Sequence, residues 1–151
     1  MITIEEFKRK QSETCRLIGL DLGSKRIGVS ICDERQSIAT PFRTINKNNT
    51  NELITELKEL INEYDIKGIV IGNPINMDGS QSQSSQSAKD LAINLSKDVT
   101  ENVTLWDERL SSQGAFNLSN DLASNTSKKV SKLDENSAQF ILQGALDYLT
   151  R

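Results

Sequence analysis

LIGLDLGSKRIGVSICD, residues 17–33, decides the fold. With Cys15 and Arg16 before it, the first half is a near-continuous apolar run, the pattern of a strand buried on both faces. It ends at Asp21-Leu22, and GSKR turns the chain into a second apolar run, Arg26–Asp33. After DERQ a third run follows, SIATPFRTI at 37–45. Three short runs rich in Ile and Val, joined by short polar links, predict an antiparallel meander. Pro41 assigns the third run to an edge, because proline cannot donate to a ladder.

Downstream the pattern changes period. Leu53, Ile54, Leu57, Leu60, Ile61 and Tyr64 recur at three- and four-residue steps, which predicts a helix. IKGIVIGN, 66–73, is the next buried-type strand. A strand–helix–strand order requires a right-handed crossover and a parallel pairing, so the sheet is mixed. NPINMDGS, with Pro74 and Asp78-Gly79, is a loop. Ala88, Leu91, Ala92 and Leu95 keep helical spacing in the serine-rich segment after it. ENVTLWDE, 101–108, gives a further parallel strand, and SSQGAFNLSNDLA, 111–123, a short helix. ASNTSKKVSK, 123–132, is polar and aperiodic and reads as a mobile loop. The last helix carries Ala138, Ile141, Leu142, Ala145, Leu146 and Leu149 on one stripe. Residues 1–14 read as an extension or short helix, and 15–151 as a single domain with helices on both faces of one mixed sheet. A chain of 151 residues can bury on the order of 70% of its unfolded surface around one core.

Composition removes several chemistries. There is no histidine, so Ser-His-Asp and Cys-His relays, HExxH zinc sites and imidazole bases are all excluded. Cys15 and Cys32 are too far apart for a CxxC motif and sit in or beside apolar runs, as free cysteines in a reducing compartment do. The opening MITIEEFKRKQSET lacks the apolar core of a secretory signal, and no segment is long enough to span a bilayer. These features predict a cytoplasmic protein without membrane partners. The formal net charge of −3 argues against binding nucleic acid through a general basic field.

The acids are the informative residues. Asp21, Asp107/Glu108 and Asp134 lie at the ends of apolar runs. In open α/β sheets ligands gather beyond the carboxyl ends of the strands, and oxygen-only clusters bind hard divalent cations such as Mg²⁺ or Mn²⁺. Two such ions about 3.5–4 Å apart activate water on one side of a phosphodiester and stabilise the leaving oxygen on the other. Each acid also has a plainer use. Asp21 suits an Asx turn, Asp107 and Glu108 suit the start of the helix expected from Ser111 or Ser112, and Asp134 follows Ser131 at capping-box spacing. Asp107 and Glu108 cannot both face one cluster if the strand continues through them, and periodicity does not choose between them. Lys25, Arg26, Arg109, Lys128, Lys129 and Lys132 lie near the acids and are candidates for phosphate contacts, or simply solvated charges. Gly23 and Gly28 bracket a tight turn, and Gly72 suits close approach of a neighbour. Gly23-Ser24-Lys25 lacks the upstream spacing of a P-loop.

In order along the chain, LIGLDLGSKRIGVSICD (17–33), IVIGNPINMDGS (69–80), WDERLSS (106–112) and KLDENSAQFILQ (132–143) closely resemble the four sequence blocks of the YqgF/RuvX family. That group comprises pre-16S rRNA nucleases related to RuvC-type Holliday junction resolvases. The resemblance runs from about Leu17 to Leu149. It implies an RNase H-like α/β fold with strand order 3-2-1-4-5. It implies a Mg²⁺- or Mn²⁺-dependent endonuclease site in which Asp21, Glu108 and Asp134 hold metal and carry catalysis. By the same resemblance Lys25, Arg26, Arg109 and Lys132 match basic positions that contact nucleic acid, and Asn76, Asp78 and Gly79 match the loop beside the site. Asn73, Ile75 and Ser137 depart from the family pattern at packing positions.

The expected function is processing of the 5′ end of pre-16S rRNA. The alternative within the same class is resolution of branched DNA, which needs a two-fold dimer and leaves monomer against homodimer open. A nucleic-acid or transcription-factor binding module without turnover is the alternative of another class. The DLGS turn also resembles the phosphate loop of actin-like ATPases, but those enzymes need two lobes.

Overall fold

The computed structural model describes residues 1–47, 49–76, 78–110 and 126–150; within 126–135 it describes the helical backbone but not the side chains. Among these residues one sheet of five strands orders the molecule: β1 (Arg16–Leu22), β2 (Arg26–Cys32), β3 (Ala39–Asn46), β4 (Ile66–Asn73) and β5 (Asn102–Asp107). The strand order is β3-β2-β1-β4-β5. β1–β2 and β2–β3 are antiparallel, whereas β4 is parallel to both β1 and β5. The expected order and the mixed pairing are both present. Pro41 lies on edge strand β3, beside the register shift at Val29/Ser30.

Helices α1 (Ile4–Lys10), α2 (Thr50–Glu63), α3 (Gln83–Asp98) and α4 (Thr126–Leu149) cover the two faces. α2 and α3 bury their predicted stripes against Ile18, Leu20, Ile69 and Ile71. α3 starts where Ser82 accepts from the Ser85 N–H at 3.1 Å, so serine there caps the helix. On the other face, Ile141, Leu142, Ala145 and Leu146 of α4 pack with Leu17, Val70, Trp106 and Phe7. Phe7, from the segment read as an extension, is fully buried, and the Ile2 N–H donates to the Val103 carbonyl along the β5 edge.

Two sequence expectations need correction. The mobile loop assigned to 123–132 is helical from Thr126 onward. Ser131 and Asp134 are therefore interior helix positions rather than a capping box. The stretch offers only Val130 and Leu133 as apolar markers, too few for periodicity to register. The short helix expected at 111–123 lies outside the described residues.

α4 runs against the parallel strands. Its Ala138 and Leu142 lie over Gly19 and its Ile141 over Gly72. Its far end reaches α1, where Lys8 Nζ stands 5.0 Å from the Tyr148 ring, and α1 covers the opening residues of β4 with Phe7 against Gly68. The turns of α4 that precede Ala138 are consequently carried past the carboxyl ends of β1 and β4. The Ser30 hydroxyl fixes this placement, donating to the Ala138 carbonyl at 2.7 Å.

Candidate active site

Asp21 is the penultimate residue of β1, and alternation puts its side chain on the α4 face with Leu17 and Gly19. Its partner across the antiparallel ladder is Gly28. Gly28 thus belongs to the β2 ladder, and the turn proper is closed by the Gly23 N–H donating to the Arg26 carbonyl at 2.8 Å. On the other side, the Leu20–Ile71 register carried one step further sets Gly72 beside Asp21. The carboxylate therefore stands between two residues with no side chain.

The same alternation separates Asp107 from Glu108. Trp106 packs on the α4 face, so Asp107 turns to the opposite face and Glu108 returns to that of Asp21. Glu108 leaves β5 in a single 3-10 turn, Glu108–Leu110, and folds back over β4. Its Oε2 lies 3.2 Å from where a Cβ on Gly72 would sit, and Ile141 Cδ1 crowds the same point. Gly72 thus leaves room on the sheet surface for the Glu108 carboxyl, in the strand next to that of Asp21. Burial, aided by the negative charge of Asp107, pushes the Glu108 carboxyl above its ordinary range.

Asp134 lies four residues before Ala138 on α4, about 6 Å further toward this edge. Its side chain and that of Lys132 lie outside the described residues. Among the described residues no group of three or more Asp, Glu, Cys or His gathers. Of the three acids expected to hold a cation, Asp21 and Glu108 are the two whose side chains are described. Their all-oxygen donor set, in a chain without imidazole, suits a hard divalent ion.

The basic candidates divide. Lys25 is exposed at the β1–β2 turn and Arg26 is half-buried at the start of β2, both beside the Asp21 end of the sheet. Arg109 instead goes with Asp107: its Nη2 is 2.8 Å from Oδ2. That hydrogen bond, against a smaller cost of burial, holds the Asp107 carboxyl below the usual range. Asn76, Asp78 and Gly79 form a closed turn in which the Gly79 N–H donates to the Asn76 carbonyl at 2.8 Å. Asp78 Oδ1 accepts from the Ser80 N–H and hydroxyl at 2.9 and 2.6 Å. Asn73, a departure from the family pattern, is buried and accepts from the Ser85 hydroxyl at 2.6 Å. Sequence reading did not foresee the Asp107–Arg109 fork. Its only advance signal was an acid and an arginine two residues apart at a strand end.

Residues 15–148 match the sequence model of the RuvX family, described as Holliday junction resolvase. The chain belongs to the RuvX family. A Pelagibacter ubique relative called "Putative pre-16S rRNA nuclease" is 65% identical over 149 residues, covering 99% of both chains. A Rhodobacter capsulatus protein of the same name is 38% identical over 146 residues, 97% of this chain and 92% of that one. Among solved structures, the yeast mitochondrial Holliday junction resolvase superposes with a TM-score of 0.57 at 11% identity, covering 97% of this chain and 84% of the other. Thermus thermophilus RuvC gives 0.52 at 8% identity, covering 83% and 92%. These likenesses establish the RNase H-like fold for this RuvX family member. No helix among the described residues is long and apolar enough to cross a membrane.

Proposed function

We propose that this chain is a Mg²⁺- or Mn²⁺-dependent endonuclease that processes the 5′ end of pre-16S rRNA in the cytoplasm. The observation that supports the reading is that Asp21 and Glu108 fall on one face at the carboxyl edge of the parallel strands, with Glu108 folded over Gly72, the residue that the register sets beside Asp21. The name borne by the Pelagibacter relative, at 65% identity over nearly its whole length, supports the substrate.

In this reading Asp21 and Glu108, with Asp134 from α4, hold the metal. When bound, the divalent cation supplies an activated water and charge neutralisation at the leaving oxygen. The rigid β1 and β4 ladders fix the Asp21 carboxylate. The Ile141 contact above Gly72 shields Glu108 from bulk water, which strengthens its field at a bound ion. Lys25 and Arg26 on one side and Arg109 on the other offer donors to the phosphates flanking the scissile bond.

A radiolabelled precursor rRNA carrying the 5′ flank tests this directly. Wild type in Mn²⁺ or Mg²⁺ should cut it, EDTA should stop the reaction, and Asp21→Asn should reduce it by several orders of magnitude. Native-rate cleavage by Asp21→Asn would remove the mechanism. The description of the RuvX family favours one further reading, resolution of four-way DNA junctions. Symmetric cutting of two strands requires a two-fold dimer. Junction cleavage in the same assay, together with a dimer in sedimentation, would select that substrate instead.

A further inference from the structure

Arg109 folds back from the end of β5 onto the residue two places before it. Its Nε lies 3.1 Å from both Asp107 carboxylate oxygens, its Nη2 2.8 Å from Oδ2, and its own backbone N–H 3.0 Å from Oδ1. One carboxylate thus clamps both the backbone and the guanidinium of the same arginine. A guanidinium carries five N–H groups. The clamp uses the Nε edge, and among the described residues Nη1 makes no hydrogen bond. Nη1 is turned toward the Asn76–Ser80 loop, 3.8 Å from where a Gly79 Cβ would sit. Gly79, at φ +88°, presents no side chain there. Asp78, whose Oδ1 accepts from Ser80, attracts the same guanidinium through space but makes no hydrogen bond to it among the described residues.

We infer that Asp107 is a positioning residue, holding the Arg109 guanidinium against the 76–80 loop so that its Nη1 edge is a preset donor for a phosphate of the bound strand. This rests on the proposed nuclease reading in one respect, that the ligand is nucleic acid. Asp107 faces away from the Asp21–Glu108 pair, so it is not a third member of that pair. An acid beside a phosphate-binding arginine weakens the local positive field, and this chain is already acidic overall. The clamp offsets that loss by fixing the long side chain before the ligand arrives.

The sign of the effect distinguishes the two roles. A carboxylate that contributes only charge repels RNA, and neutralising it tightens binding. A carboxylate that positions Arg109 weakens binding when neutralised, because asparagine turns an N–H₂ group toward the guanidinium or gives up one branch of the fork. The probe is a fluorescein-labelled single-stranded RNA carrying the 16S 5′ flank, titrated with the full chain in EDTA over a series of KCl concentrations. Arg109→Ala should lower affinity about ten-fold and reduce the salt slope by about one. Asp107→Asn should lower it about five-fold despite removing a negative charge, and in the Arg109→Ala background, where only the charge is left to act, it should no longer weaken binding. Asp107→Glu, which keeps the charge but alters the reach, should also weaken binding and be silent without Arg109.

Equal or tighter binding by Asp107→Asn, a loss that persists undiminished in the Arg109→Ala background, or no binding of the probe by wild type would each overturn the assignment. Because the titration involves no turnover, an intact cycle in a protein that never cleaves would sink the nuclease reading alone. Cleavage with no cycle would sink this one alone.

Discussion

Glu108 is charged, half-buried and folded over a glycine, and that combination has a measurable consequence. Its carboxyl is raised first by burial and then by Asp107. Between the ordinary glutamate value and the raised one, the folded chain binds more protons than the unfolded one, so stability falls as pH rises through that window and stays lower above it. Glu108→Gln should therefore melt higher than wild type in EDTA at neutral pH, with the gain shrinking on acidification below the ordinary value. A melt series across pH for both proteins checks the sign, and a gain that grew toward low pH would contradict it. Gly72 carries the companion prediction. Its backbone is outside the left-handed region, so the constraint is space: a Cβ meets Ile141 Cδ1 and comes within 3.2 Å of Glu108 Oε2. Gly72→Ala should cost about 1–3 kcal/mol in denaturant titration and depress cleavage as well, since the methyl group displaces Glu108. The sequence showed an acid pair at 107–108 but not which one turns inward. Leu105 and Trp106 are both apolar, so alternation has no polar side to mark. The observed packing of Trp106 supplies the missing phase.

At the scale of elements, legibility follows how much apolar surface each one buries. β1, β4, α2 and α3 bury continuous runs or full stripes, and each is where periodicity puts it. α1 sinks only Phe7, too little for a pattern, yet that residue fills the space above Gly68 beside Leu17. Phe7→Ala should accordingly cost about 3–5 kcal/mol, seen as a lower urea midpoint with an unchanged slope. A change under 1 kcal/mol would mean α1 is dispensable to the fold. The opening of α4 escaped notice for the related reason that its first turns carry few apolar residues. What sequence could not supply was the direction of α4 relative to β1. That direction depends on tertiary contacts, the Ser30–Ala138 bond and the stacking of Ala138 and Leu142 on Gly19, and it carries position 134 toward the edge that holds Asp21 and Glu108.

Across the whole molecule, charge is distributed in a way the total conceals. The net −3 argued against nucleic acid, but folding gathers Lys25 and Arg26 at one end of the carboxyl edge and Arg109 at the other, around the acids rather than over a broad face. Strand order and right-handed crossovers could be read from the succession of apolar runs, because topology rules leave few alternatives. The folding of Glu108 back over β4, onto the face of Asp21, could not, because it depends on a glycine in that strand. If these acids grip a cation only in the folded state, the metal must stabilise the fold by mass action, by about 2.7 kcal/mol at one hundred times its dissociation constant. Titrating Mn²⁺ into wild type should raise the melting temperature with saturation. Asp21→Asn should abolish most of that rise, and so should Glu108→Gln, although the latter starts from a higher melting temperature in EDTA. The crossed pattern, higher without metal and unresponsive with it, is specific to a buried ligand whose charge is costly until a cation arrives. Equal Mn²⁺-dependent rises in all three proteins would show that the ion binds elsewhere and that the placement of Glu108 over Gly72 serves packing alone.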